Sequence, residues 1–265
     1  MKRCMIGFAA AALAATVFGD IASANIVGYA SGERTIPANG YYIGTMSFAG
    51  VAKDGMIAIK DVLTTTATPG DYDTMETAAP QIQILNEDGE TYTRYFFTSD
   101  AEDEGGAYVT GWADIDDCLA TAEYPIGTGF WYWSRGSEST ITLPGQVDNS
   151  ASKTKDANKG YNLIGNAYPT AIKLTDVICS GMTPGDYDTM ETAAPQIQFL
   201  DANGETYTRY FYTSDAEDEG GAYVTGWADS DDCIAYDAVA PATAGFWLWN
   251  RGETDGKVTI MSPIK

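Results

Sequence analysis

The residues of this chain best suited to chemistry are carboxylates, and they stand in one stretch that occurs twice. TSDAEDEGGAYVTGWAD runs from Thr98 to Asp114 and returns unchanged from Thr213 to Asp229. Asp100, Glu102, Glu104 and Gly105 occupy the first, third, fifth and sixth places of an EF-hand-like loop, where oxygens alternate toward an ion and glycine permits the sharp turn. The twelfth place, which should hold a bidentate glutamate, is Gly111, and no helical pattern flanks the stretch, so an EF-hand is excluded. A looser calcium site remains, with Asp100, Glu102, Asp103 and Glu104 in the first copy and Asp215, Glu217, Asp218 and Glu219 in the second as candidate ligands. Asp114, Asp116 and Asp117, or Asp71, Asp73 and Glu76, are further oxygens a fold could recruit. The competing expectation is a hairpin loop whose charges point into water and keep a strand edge from pairing.

Paired carboxylates could also hydrolyse glycosides if two faced each other across a cleft at ~5 to 10 Å. The chain has no histidine, which removes the commonest general base, the usual triads and most zinc sites. Two identical clusters are normal for binding or structural modules and unusual for an enzyme, so the sequence reads as non-enzymatic.

Aromatic residues offer a second kind of site. In Phe130-Trp131-Tyr132-Trp133 and Phe246-Trp247-Leu248-Trp249, strand geometry puts both tryptophans on one face and Phe with Tyr or Leu on the other. The exchange of Tyr132 for Leu248 marks the second face as core. Trp131, Trp133, Trp247 and Trp249, with Trp112 and Trp227, are therefore candidates either for a second packed side or for a platform that stacks sugar rings.

Cysteine supplies the third. Beyond Cys4 the thiols are Cys118, Cys179 and Cys233, and export would make a disulfide plausible. Cys179 with Cys233 would close the second half internally; Cys118 with Cys233 would join equivalent positions across halves; three reduced, buried cysteines are the plain alternative. The first pairing is preferred because equivalent positions in two modules can lie far apart.

The elements that must position these groups come in two sets. Thr68–Cys118 matches Thr183–Cys233 at 45 of 51 positions, differing at 84, 86, 87, 88, 97 and 115. Weaker matches pair Gly40–Gly44 with Gly160–Gly165, Asp61-Val62 with Asp176-Val177, and Gly129–Trp131 with Gly245–Trp247. Alternating runs, Gln81–Leu85 into Asp88-Gly89 and Gln196–Leu200 into Asn203-Gly204, are hairpin signals, with a return strand over Thr91–Thr98. Further strands are expected at Tyr108–Trp112, Gly129–Ser134 and Ser139–Leu143 with equivalents in the second copy. The expected fold is all-β: two tandem antiparallel β-sandwich-like modules related by internal duplication, 25–147 and 160–265, joined by a polar crossing at 148–159.

Lys2 and Arg3, the apolar run to Phe18 and Ala22-Ser23-Ala24 read as a secretory signal peptide, 1–24, cleaved near Ala24. Export to the cell surface or medium is expected, with no membrane insertion of the mature chain. Cleavage would move the formal charge from −22 to −23, since it removes two cations and one anion. A surface so acidic argues against nucleic-acid partners and leaves other copies of itself, surface polymers or carbohydrate.

Gly160-Tyr161-Asn162-Leu163-Ile164-Gly165-Asn166-Ala167-Tyr168-Pro169, followed by the Gly-Phe-Trp strand after Pro241, resembles the opening and closing parts of tandem β-modules in secreted bacterial surface proteins. Asn25-Ile26-Val27-Gly28-Tyr29 resembles the mature ends of exported proteins. Ala167 stands where that pattern has proline, and the first copy keeps only the glycines, Tyr41 and Ile43. The resemblance implies a surface or matrix role and carries over no catalytic residue. Three functions follow as expectations: an exported structural or adhesive protein that self-assembles, a carbohydrate-binding or calcium-dependent recognition module, and a carboxylate-based glycoside hydrolase. The Val27 and Val258 regions read as terminal strands that complete their own sheets or are donated to a neighbour.

Overall fold

The computed structural model describes residues 27–29, 34–46, 55–146, 150–201 and 204–263. The stretch 1–24, expected as a signal peptide, the module boundary at Val147 and the Asn203 of the second hairpin lie outside them. The chain is all-β, as its alternating patterns require.

In the first half the strands are β1 (Val27–Tyr29), β2 (Arg34–Ile36), β3 (Tyr41–Thr45), β4 (Met56–Ala58), β5 (Thr64–Thr65) and β6 (Gln81–Leu85). They continue with β7 (Tyr92–Glu102), β8 (Tyr108–Ala113), β9 (Glu123–Pro125), β10 (Gly129–Trp133), β11 (Ser139–Thr142) and β12 (Pro144–Gln146). The second half has β13 (Ser152–Ala157), β14 (Gly160–Gly165), β15 (Ile172–Lys173), β16 (Val177–Ser180) and β17 (Gln196–Leu200). It closes with β18 (Tyr207–Glu217), β19 (Tyr223–Ala228), β20 (Val239–Ala240), β21 (Gly245–Asn250) and β22 (Gly256–Met261).

Each half has one five-stranded antiparallel sheet, β3-β10-β6-β7-β8 and β14-β21-β17-β18-β19, in the same order. Against it lies a smaller sheet, β13-β22-β16 in the second half and its broken counterpart, β2-β11-β5 with β1-β12, in the first. The first-half core is Ile82, Ile84, Phe130, Tyr132 and Trp112 from the large sheet against Ile36, Leu63, Ile141 and Leu143. The second-half core is Ile197, Phe246, Leu248 and Trp227 against Val177, Val258 and Ile260. Alternation along each strand sends every second side chain into these layers, which removes apolar area from water at about 25 cal/mol per Å².

Three local expectations are corrected. Half of the stretch 148–159, expected as a crossing, is strand: β13 pairs with β22 from Ser152↔Met261 to Ala157↔Gly256. The 85–92 hairpin is longer than a two-residue turn, because Asn86 N donates to Thr91 O and Gly89 N donates to Asn86 O. There only Gly89 goes left-handed, at φ 68°, while Asp88 caps the turn by accepting from the Glu90 and Thr91 amides. The return strand runs on from Thr98 to Glu102 through a bulge, so the acidic hairpin loop is only Asp103 to Ala107. At the chain's N-terminal side β1 pairs with β12 of its own half, Val27↔Gln146 to Tyr29↔Pro144.

Candidate functional site

The exposed end of the long hairpin in each half gathers the acidic residues. Strand alternation and the bulge put Asp100 and Glu102 on β7, and a loop returning past β8 lays Asp117 beside them, through Glu102 N donating to Asp117 O and Leu119 N to Glu102 O. Asp117 is only 8% exposed and sits at φ 60°, receiving the Thr98 hydroxyl at 3.3 Å. Burial first, then the Asp100 carboxylate, push its pKa up, and Asp114 and Glu102 add to the shift. Asp100 accepts the Tyr72 amide at 3.2 Å on Oδ2, while its Oδ1 is buried with no donor.

The second half repeats each of these relations. Asp232 is 6% exposed at φ 60° with Thr213 at 3.3 Å, and its pKa is raised by burial and then by Asp215. Asp215 accepts from Tyr187 N at 3.3 Å and has a buried, donor-free Oδ1. Here Asp215, Glu217, Asp231 and Asp232 line a groove of about 430 Å³ together with Tyr187 and Tyr223. The two tyrosines are 60% and 73% exposed, and their equivalents Tyr72 and Tyr108 are 58% and 71% exposed. Sequence reasoning missed these tyrosines; the available signal was their placement beside the acids in both copies.

The expected calcium ligands are not brought together. Asp103 Oδ1 accepts from the amides of Gly105 at 2.8 Å and Ala107 at 2.9 Å, which folds the turn, and Glu104 is exposed. Asp218 does the same for Gly220 and Ala222, and Glu219 is exposed. Only Asp100 with Glu102, and Asp215 with Glu217, face the buried aspartate of their half. Among the described residues no three His, Cys, Asp or Glu side chains are grouped to hold a metal ion.

The tryptophans are corrected as a sugar platform. Trp112 and Trp227, 1% and 3% exposed, are core residues whose indole N–H groups donate to Leu63 O at 2.9 Å and Val177 O at 2.8 Å. Trp131 and Trp247 face each other at 6.3 Å across the seam between the halves, in a cluster with Ile43 and Leu163. Trp133 stacks on Tyr41 at 5.2 Å beneath the Arg135 guanidinium at 3.9 Å, and Trp249 stacks on Tyr161 at 4.8 Å with Arg251 at 3.7 Å. Each of these rings already stacks on or packs against a neighbouring ring or guanidinium, in the place a sugar would take. Trp131 and Trp247 thus form a second packed side that joins the two halves, while Trp133 and Trp249 stay partly exposed beside it.

Glycine makes that seam possible. A Cβ on Gly245 would lie 2.2 Å from Gly44 O, and one on Gly129 would lie 2.8 Å from the Leu163 carbonyl. Thr45 N and the Tyr42 hydroxyl both donate to Thr243 O, at 3.0 and 2.9 Å, pinning β3 to the loop before β21.

The Cys179–Cys233 disulfide is also overturned, since all three described cysteines are free. Cys179 pairs with Val258 inside a sheet, where burial pushes its thiol pKa far up, whereas Cys233 is exposed on the acidic loop. Burial and the surrounding Asp114 and Glu102 raise the Cys118 thiol, and Asp229 and Glu217 act likewise on Cys233.

No protein-family model, curated protein or solved structure matches the chain.

Proposed function

We propose that the chain is an exported, non-enzymatic structural or adhesive protein of the cell surface or extracellular matrix, and that it self-assembles. The observation that carries this reading is the seam. Two sandwiches with the same strand order are locked back to back by Trp131, Trp247, Ile43 and Leu163, so the aromatic residues brace the molecule internally. A braced β-body with duplicated exposed edges suits a building block, because repetition offers equivalent contacts at both ends. The secretory pattern at 1–24, the acidic surface and the resemblance to surface-protein modules support the same reading.

Sedimentation and electron microscopy of the exported chain over a rising concentration series test it, together with fractionation of expressing cells. Assembly beyond the monomer, and recovery in the surface or medium fraction, are the expected results. Persistent monomers at high concentration sink the assembly; retention inside the cell sinks the surface role.

A further inference from the structure

The outer face of each large sheet is covered at two places and open between them. Directly opposed strand residues share a face, so one row across the first sheet runs Ile43, Trp131, Gln83, Arg94. The seam closes the start of that row, and on the next row Phe96 is buried under Met75 and Ala79. Between these covers Gln83 is half-buried and Arg94 exposed. Arg135 borders the strip, with its guanidinium on Trp133 and its Nη1 donating to the Glu76 carbonyl. The second half repeats the row as Leu163, Trp247, Gln198, Arg209, with Phe211 buried under Met190 and Ala194. Arg251 borders it on Trp249 and donates to the Glu191 carbonyl.

Each strip is a cationic spot in an anionic molecule. The chain has 37 acidic and 15 basic side chains, so an arginine has many carboxylates to choose from. Among the described residues the ion pairs are Lys60–Asp61, Lys159–Glu253 and Lys257–Asp156, and neither Arg94 nor Arg209 is in one. Each has a second arginine near it instead. Burial lowers the Arg135 pKa and Arg94 lowers it further, against Tyr41; burial and Arg209 act alike on Arg251, against Tyr161. A guest carboxylate would offset that repulsion and accept the open N–H groups. The chain itself carries suitable carboxylates at its hairpin tips. Asp103 and Asp218 are engaged in their own turns, whereas Glu104 and Glu219 are exposed. Arg94 and Glu102 stand eight residues apart on β7, about 25 Å at strand rise, so a tip does not fold back onto its own strip.

We propose that each arginine strip receives the acidic hairpin tip of a second copy of this chain, with Glu104 or Glu219 on Arg94 or Arg209. The inference rests on self-assembly and assigns the two surfaces that carry it. The strip continues the face already used at the seam, and its charge complements the tip. Tip and strip are different surfaces, each present twice, so the contact is head-to-tail and extends from copy to copy.

The test is sedimentation velocity of the full chain and two charge-reversed variants over a rising concentration series. One variant carries Arg94→Glu with Arg209→Glu, the other Glu104→Arg with Glu219→Arg. Each alone should need a concentration at least about tenfold higher than the parent to assemble, because like charges then meet across the contact. An equimolar mixture of the two should assemble near the parent's concentration, since every tip again finds a strip of opposite sign. All four positions are exposed, so both variants should melt like the parent, which separates lost docking from lost folding. If the parent assembles and either variant does so at the same concentration, or the mixture does no better than its components, the docking is overturned while self-assembly stands. A parent that stays monomeric overturns both. Polygalacturonate that binds such a monomer, and not the Arg94→Glu, Arg209→Glu variant, would give the strip to an acidic polysaccharide instead.

Discussion

The two cores solve one packing problem in two ways. In the first half Tyr132, fully buried, shares hydrogen bonds with Ser139 at 2.7 Å and Thr65 at 3.1 Å, and Ser139 passes on to Ser134 at 3.1 Å. In the second half Leu248 takes the tyrosine's place and is equally buried. Strand pairing sets the remaining equivalences: Thr65 lies opposite Ile141 as Cys179 lies opposite Val258, and Ser139 falls where Gly256 stands. Met182 fills the space beside Gly256, where a Cβ would lie 2.4 Å from its Cγ. One hydroxyl was therefore exchanged together with its partners, while 45 of 51 residues nearby stayed the same. The comparison teaches that the polar network is a unit, since a buried hydroxyl is tolerated only with its acceptors and donors in place.

The largest expected effect removes the setting in which the halves can be compared at all. Gly245→Val drives a side chain into Gly44 O and Ile43, and should cost about 3 kcal/mol or more by denaturant unfolding, with the halves no longer melting together. A single unchanged transition would show that the seam is not tight.

Exchanging the core residues sharpens the comparison. Leu248→Tyr adds volume and an unpartnered hydroxyl, for a loss of about 3 kcal/mol, whereas Tyr132→Leu leaves Ser139 and Thr65 short of a partner, for about 2 kcal/mol. Tyr132→Leu combined with Thr65→Cys and Ser139→Gly should recover part of that loss, so the three changes are non-additive. Additivity in a mutant cycle would break the idea of a coupled unit.

Acid titration comes next and treats both halves alike. Asp117 and Asp232 have folded pKa values raised by burial and by Asp100 or Asp215, so the folded state holds their protons more tightly than the unfolded chain. Their contribution to stability therefore grows as pH falls through the raised values, is complete below the ordinary carboxylate range, and is lost as pH rises. Asp117→Asn with Asp232→Asn should flatten that part of the profile; melting temperatures against pH that run parallel for parent and variant would refute it. The smallest effect is a control on identity. Asp103→Ala and Asp218→Ala, in identical turns, should each cost about 1 kcal/mol, and by the same amount.

Much of the fold was legible because it is local. Gln81–Leu85 reads as a strand from its own alternation, and Gly89 as a turn from its need for positive φ. The Phe-Trp-Tyr-Trp strand announced its two faces. Less was legible at the sites, where contacts join residues distant in sequence. The equivalent of Cys179 looked like Thr64 on the constant offset of the copies, yet pairing makes it Thr65, because the segment after it is one residue longer in the second half. The acids seemed one loop, but a bulge and the Asp114–Ala120 return separate turn-formers such as Asp103 from the buried Asp117.

By itself the sequence determined the all-β class, the doubled pattern and the alternating faces, since period-two burial and turn chemistry act within a few residues. Tertiary structure alone decided what covers the tryptophan face, which carboxylates are buried and that the cysteines stay apart. Those outcomes depend on how close two backbones can approach, at Gly129 against Leu163 and Gly245 against Gly44, and only the packed molecule sets that distance.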